Sequence, residues 1–142
     1  MPTFDDRGLP TGSTHEAARH AVESALWRMM AFYDTPLADL DAAIVFDPAW
    51  PLPHAMKAGF LFSLTEPNLV GEASQHLAAA RELITAATPA RERAHVEALQ
   101  LVEEGRWGAA CRAWDLLLID HPRDALALQW AQLWDFYRGD AP

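Results

Sequence analysis

At 142 residues, with eleven Lys and Arg against twenty Asp and Glu for a formal charge of −9, the chain suits one domain that buries about two thirds of its extended surface. Its basic residues are scattered, which argues against the concentrated positive patch that nucleic acid needs, and a single cysteine, Cys111, rules out an internal disulfide and fits a reducing compartment. The longest apolar runs, such as residues 58–62, are far too short to span a bilayer, so a cytoplasmic protein without membrane contact is expected.

Residues 1–12, with two aspartates and two prolines, read as an extended segment that is neither a signal nor a transit peptide. From residue 13 to 142 apolar residues recur at helical spacing, and no convincing run alternates with period two. Ser13 and Glu16 form a capping box. Ala18, Val22, Leu26, Met29, Met30 and Tyr33 then mark one face of a first helix. Thr35 caps a second helix with Pro36 at its first position, and Leu37, Leu40, Ile44 and Val45 carry it to Asp47 and Pro48.

A third helix begins near Pro51 and Pro53 and runs to Leu64, too apolar over residues 58–62 to leave a solvent face. After a loop at Glu66, Pro67 and Asn68, a fourth helix is lined by Ala73, Leu77, Ala80, Ile84 and Ala87. Thr88 and Pro89 repeat the cap-and-proline signal for a fifth helix that stops at Gly105. A sixth presents Trp107, Ala110, Trp114, Leu117 and Leu118 before His121 and Pro122. A seventh carries Leu126, Trp130, Leu133, Trp134 and Tyr137 and ends at Gly139.

Gly105, Trp107, Ala110, Trp114 and Pro122 fall at the offsets of a tetratricopeptide (TPR) helix-turn-helix unit. The glycine turns the chain, the aromatic wedges against the first helix, the small residue lets the pair close, and proline ends the second helix. Aligning Pro48 with Pro122, a shift of 74 residues, matches Tyr33 with Trp107 and Leu40 with Trp114, which is two slightly stretched repeats. The middle unit keeps the small Gly59 where its first helix approaches a partner. The fold expected is all-α: a TPR-like right-handed superhelix of about three antiparallel helix pairs plus one terminal helix. Large apolar residues on that last helix lack a following helix to cover them.

His54-Ala55-Met56, Arg91-Glu92 with His95-Val96, Gly105, Ala110-Cys111, Trp114, the run Asp120-His121-Pro122-Arg123-Asp124, Leu126-Ala127-Leu128 and Phe136-Tyr137 together resemble the amino-terminal portion of the tetratricopeptide repeat protein 38 family. The resemblance covers nearly all of this chain and the first part of a family member. It implies a helical-repeat binding scaffold and supplies no catalytic residues. Gln132 stands where the family would place a histidine.

Chemical motifs are mostly negative. His15 and His20 lie five residues apart, which turns a helix by about 140° and separates the two imidazoles. No phosphate-binding loop, dinucleotide fingerprint, nucleophile elbow or Cys-x-x-Cys pair occurs, so no cofactor is expected. Most acidic residues read as solvated surface or caps, and Cys111 as a small core residue.

His54 and His95 sit early in the first helices of their units, and Gln132 on the next first helix. The expectation is that these three line one accessible cavity on the concave side. Trp27, Trp107, Trp114 and Trp130 read as core, and Trp50 and Trp134 as exposed, with Trp134 a further binding residue. The leading function is therefore a non-catalytic scaffold that holds a protein or peptide, of basic character given the net charge, in its concave face or on its last helix. Self-association through Trp130 and Trp134 is a variant of that role. The alternative is a helical-repeat enzyme or a small-molecule or metal binder using His54 and His95.

Overall fold

A computed structural model describes residues 3–31 and 34–139. Among them the chain is all-helical apart from a minimal hairpin: β1 (Thr3–Phe4), β2 (Pro10–Thr11), α1 (Glu16–Ala31), α2 (Leu37–Phe46), α3 (Pro51–Ser63), a 3-10 turn (Pro67–Leu69), α4 (Val70–Leu83), α5 (Ala90–Glu103), α6 (Trp107–Asp120) and α7 (Ala125–Tyr137). Consecutive helices pack in pairs, α1 on α2, α3 on α4 and α5 on α6; α7 adds to α6, and α3 also packs on α5. Tyr33, matched with Trp107 in the sequence, lies outside the described residues.

The α5–α6 turn forms as the glycine offset requires. Gly105 has φ +78°, its N–H donates to Val102 O at 2.9 Å, and Arg106 N–H donates to Leu101 O at 2.9 Å. These are the paired bonds of a Schellman motif, which only a left-handed residue after the helix can close. Trp107 folds back so that its Nε1 donates to Val102 O at 3.3 Å, wedging the indole against α5.

Caps follow the sequence less closely. Thr35 Oγ1 accepts from Leu37 N at 3.2 Å, as its cap role implies. Ser13 is different: its hydroxyl donates to Asp47 Oδ2 at 2.6 Å and accepts from His15 N, so α1 starts only at Glu16 and no capping box forms. The fourth helix also ends a turn earlier than its apolar spacing suggests. Ile84 is extended (ψ 131°), and Thr85 and Thr88 bond each other locally, Thr85 N to Thr88 Oγ1 at 3.0 Å, in place of helix bonds. Short side-chain hydroxyls compete with the helix ladder there, and Ile84 and Thr85 are β-branched.

The core centres on aromatic rings from α6 and α7. Trp114 stacks on Trp134 at 5.5 Å, and Trp130 lies tilted on Trp114 at 5.6 Å and edge-on to Trp134 at 6.4 Å. All three are fully buried. Trp134 therefore does not lie exposed on the last helix, and neither it nor Trp130 offers a surface for self-association. The reason is that α7 turns both rings inward: Trp134 stacks on Trp114 of α6, the Trp130 ring reaches Gly59 of α3, and Tyr137 OH donates to Ser63 O at 2.7 Å. Trp50 is also buried, because its Nε1 donates to Glu92 Oε1 at 3.0 Å. Trp27, expected in the core, is 60% exposed; it is next to Leu26 but off the Ala18–Leu26–Met29 stripe that faces inward.

Residues 3–13 are more than an extended lead-in. Asp5 Oδ1 accepts from Arg7 N and Leu9 N, both at 2.9 Å, and Gly8 (φ +79°) completes the turn that pairs β1 with β2. An aspartate bonding the backbone ahead of it is a common turn former, and the left-handed glycine follows from the tightness of the turn.

Candidate functional site

α1, α3 and α7 together frame one side of the molecule. Met29 near the end of α1, Phe60 on α3, Leu64 just beyond it, and Gln129, Leu133 and Tyr137 on α7 line an open cleft of about 350 Å³. Its walls are chiefly aliphatic and aromatic. At the rim, Arg28 is held by Asp39 at 2.7 Å and Asp34 at 2.9 Å, an exposed pairing that fixes the guanidinium more than it stabilises the fold.

A second constellation is polar and sealed. Trp114 Nε1 donates to His95 Nδ1 at 3.1 Å, and His95 Nε2 meets Asp124 Oδ2 at 2.9 Å. An indole N–H can only donate, so Nδ1 is the acceptor and the His95 proton sits on Nε2, facing the carboxylate. Arg91 Nε donates to the same Asp124 oxygen at 3.0 Å, while Asp124 Oδ1 accepts from Ala127 N at 3.0 Å and so caps α7. Glu92 beside it accepts from Trp50 Nε1 and from Gly12 N. Burial by itself pushes both carboxyls up. For Glu92 burial prevails over Arg91 and the Trp50 and Gly12 donors, leaving it raised. For Asp124, contact with His95, then Arg91, then the Ala127 N–H outweighs burial and holds the carboxyl well below the usual range.

The residues singled out in the sequence do not share a cavity. His95 is 0% exposed with both ring nitrogens engaged, so it neither lines an accessible groove nor has a nitrogen free for proton transfer or metal binding in this arrangement. Gln132 lies exposed on the far flank of α7 in a shallow depression with Gln129, Leu133 and Phe136. His54 is half-buried, and burial, then His76 and Lys57, lower its pKa. Trp134 is core. The expectation of one cavity lined by His54, His95 and Gln132 therefore fails, because α5 turns His95 toward α6 and the α7 cap while Gln132 faces outward.

The residues missed are Arg91, Glu92 and Asp124 in the sealed network, and Phe60 and Leu133 in the open cleft. A charged pair, Arg91-Glu92, one turn ahead of His95-Val96 on the inward stripe of α5 was a signal that charge was to be buried. Among the described residues, no group of three or more His, Cys, Asp or Glu side chains is placed to hold a metal ion, and no helix is long and apolar enough to cross a membrane. No known protein-family model matches the chain, and no solved structure matches it.

Cys111 sits inside this frame, 1% exposed, with Sγ directed at Ala131 O at 3.7 Å. Burial, followed by the neighbouring Asp135, pushes its thiol up to about 11. Thiolate is the reactive form, so the native protein is expected to show no reaction with an aromatic disulfide reagent at pH 8 and one titratable thiol in guanidinium. Prompt labelling of the native chain would contradict this packing.

Proposed function

We propose that the protein is a non-catalytic helical-repeat scaffold of the TPR type, a right-handed stack of three antiparallel helix pairs and a terminal helix, that holds a segment of another protein. The observation that carries the reading is the open cleft spanning α1, α3 and α7, walled by Met29, Phe60, Leu64, Leu133 and Tyr137. Aliphatic and aromatic walls with a few polar groups, here Gln129 and the tethered Arg28, suit the apolar anchors of a helix or extended peptide. The Schellman turn at Gly105 with Trp107 folded onto α5, and the resemblance to the tetratricopeptide repeat protein 38 family, support the same reading. The charge of −9 favours a basic partner through long-range attraction.

The test compares proteins retained by the immobilised chain, by Leu133→Asp in the cleft, and by Leu116→Asp on the exposed outer face of α6. Leu133→Asp is expected to lower recovery of a specific partner at least about tenfold, the equivalent of roughly 1.4 kcal/mol, with Leu116→Asp unchanged. Circular dichroism establishes that each variant is folded. Equal recovery by the wild type and Leu133→Asp removes the cleft from the proposal.

A further inference from the structure

The side of the molecule framed by α1, α3 and α7 is only half empty. Beside the open cleft, the part formed by the middle of α1, the start of α3, the start of α5 and the start of α7 is filled by the chain's own amino-terminal strap, residues 3–12. Leu9 is its one large buried apolar side chain. Arg91 Nη1 donates to Pro10 O at 3.0 Å, and two residues on Gly12 N–H donates to both carboxylate oxygens of Glu92 at 3.1 Å. Arg7 forms a two-pronged ion pair with Glu23 of α1 at 2.8 and 2.7 Å. Beneath the strap, between Leu26, Leu52, Met56 and Leu126, only about 30 Å³ remains.

We infer that this strap is an internal stand-in for an extended peptide: Arg91 and Glu92 read the backbone carbonyl and amide of a bound segment, and a partner's segment displaces residues 3–12 to continue into the neighbouring cleft. The inference rests on the scaffold reading and deepens it by naming the recognised chemistry.

Three features make the strap displaceable. Strands of two residues each have little stability of their own. Its hold on the helices is mostly polar, and the groups it seals, Arg91 and Glu92, are ones that water solvates well, so opening exchanges hydrogen bonds instead of losing them. Ser13 stays anchored through Asp47 at 2.6 Å and makes a natural hinge. A tethered segment acts at an effective concentration of roughly millimolar, so it excludes weak competitors and yields to a peptide that also fills the cleft.

The test uses the full chain and a fluorescent synthetic peptide with the sequence of residues 3–13, followed by anisotropy. Apparent affinity scales with the fraction of molecules whose strap is open. Two variants loosen the strap by changes within the strap itself, leaving Arg91 and Glu92 in the sequence. Gly12→Ala places a Cβ 2.6 Å from Glu92 Oε1, and Arg7→Ala removes the ion pair. Gly12→Ala is expected to tighten peptide binding at least about tenfold and Arg7→Ala about threefold to tenfold over the wild type, at unchanged circular dichroism. A peptide that itself carries alanine for Gly12 should bind at least about tenfold more weakly to either variant than the parent peptide. The inference is overturned if neither variant binds more tightly than the wild type, or if the alanine peptide binds as well as the parent. Should that happen while Leu133→Asp still abolishes partner retention, the strap is structural and the scaffold reading stands.

Discussion

Gly59→Ala is expected to lower the unfolding free energy by about 2–4 kcal/mol, read as a shift of the urea midpoint followed by tryptophan fluorescence. A Cβ at Gly59 would stand 2.2 Å from Trp130 Cζ2 and under 3 Å from two further ring atoms. No real contact is that short, so either the indole or α3 must move. Three rings hem the indole in, His95 edge-on at 5.7 Å, Trp114 at 5.6 Å and Trp134 at 6.4 Å, and its remaining side borders the open cleft. Relief comes either from tipping the ring toward that cleft, out of its packing, or from separating α3 from α7, which also strains the Tyr137–Ser63 bond. Gly71, in the first turn of α4, is the control, since a Cβ there meets nothing within 4 Å. Gly71→Ala should be neutral or stabilise by up to about 1 kcal/mol through helix propensity alone. If steric conflict is the cause, Trp130→Phe, which removes the ring carbon in the way, should recover part of the loss in the double variant although it costs stability alone. Additive losses would mean Gly59 matters for some other reason.

The helices were readable from sequence because their stripes are long and their stops are sharp: Pro48, Gly105 and Pro122 lie in the breaks between helices, and the α5–α6 turn follows from Gly105 and Trp107 alone. Side-chain destinations were not readable to the same degree. A period of 3.6 places Trp130 and Trp134 on a common face of α7, but not which neighbour covers that face, and it was α3, distant in the sequence, that did so. Ser13 had the spacing of a helix cap and was taken by Asp47 instead. The sealed network shows the same limit. Arg91, Glu92, His95 and Asp124 stand out in the sequence as clusters, yet that they meet depends on α7 beginning where α5 begins. The cleft was the least legible part, because Phe60 and Leu133 look like ordinary core residues until the end of α1 fails to cover them.

Asp124→Asn should cost about 3–5 kcal/mol at neutral pH, the range for removing one partner from a buried ionic set. Asparagine keeps the side-chain oxygen that caps α7 at Ala127 N, so the loss isolates the charge from the cap. What changes is the other oxygen, which accepts from both Arg91 and His95; an amide NH2 there would face two donors and take from the 6%-exposed Arg91 its closest carboxylate, leaving it Glu92 at 3.6 Å and Asp5 at 3.9 Å. The exposed pair of Lys57 and Asp41 gives the comparison: Asp41→Asn should cost less than about 1 kcal/mol, despite a 2.6 Å separation, because water screens it. The pH dependence separates a charge effect from simple misfit. A carboxyl held below its ordinary value of 3.8 contributes stability that is complete above that value and is lost as the pH falls toward its depressed value in the folded chain. The gap between the wild type and Asp124→Asn is therefore expected to stay constant from pH 7 to about 4 and to close below it. Glu92, raised by burial, works in the opposite sense, favouring the fold as the pH drops, and both proteins carry it. A gap that persists unchanged to pH 2 would mean that the shape of Asp124, not its charge, is what the network requires.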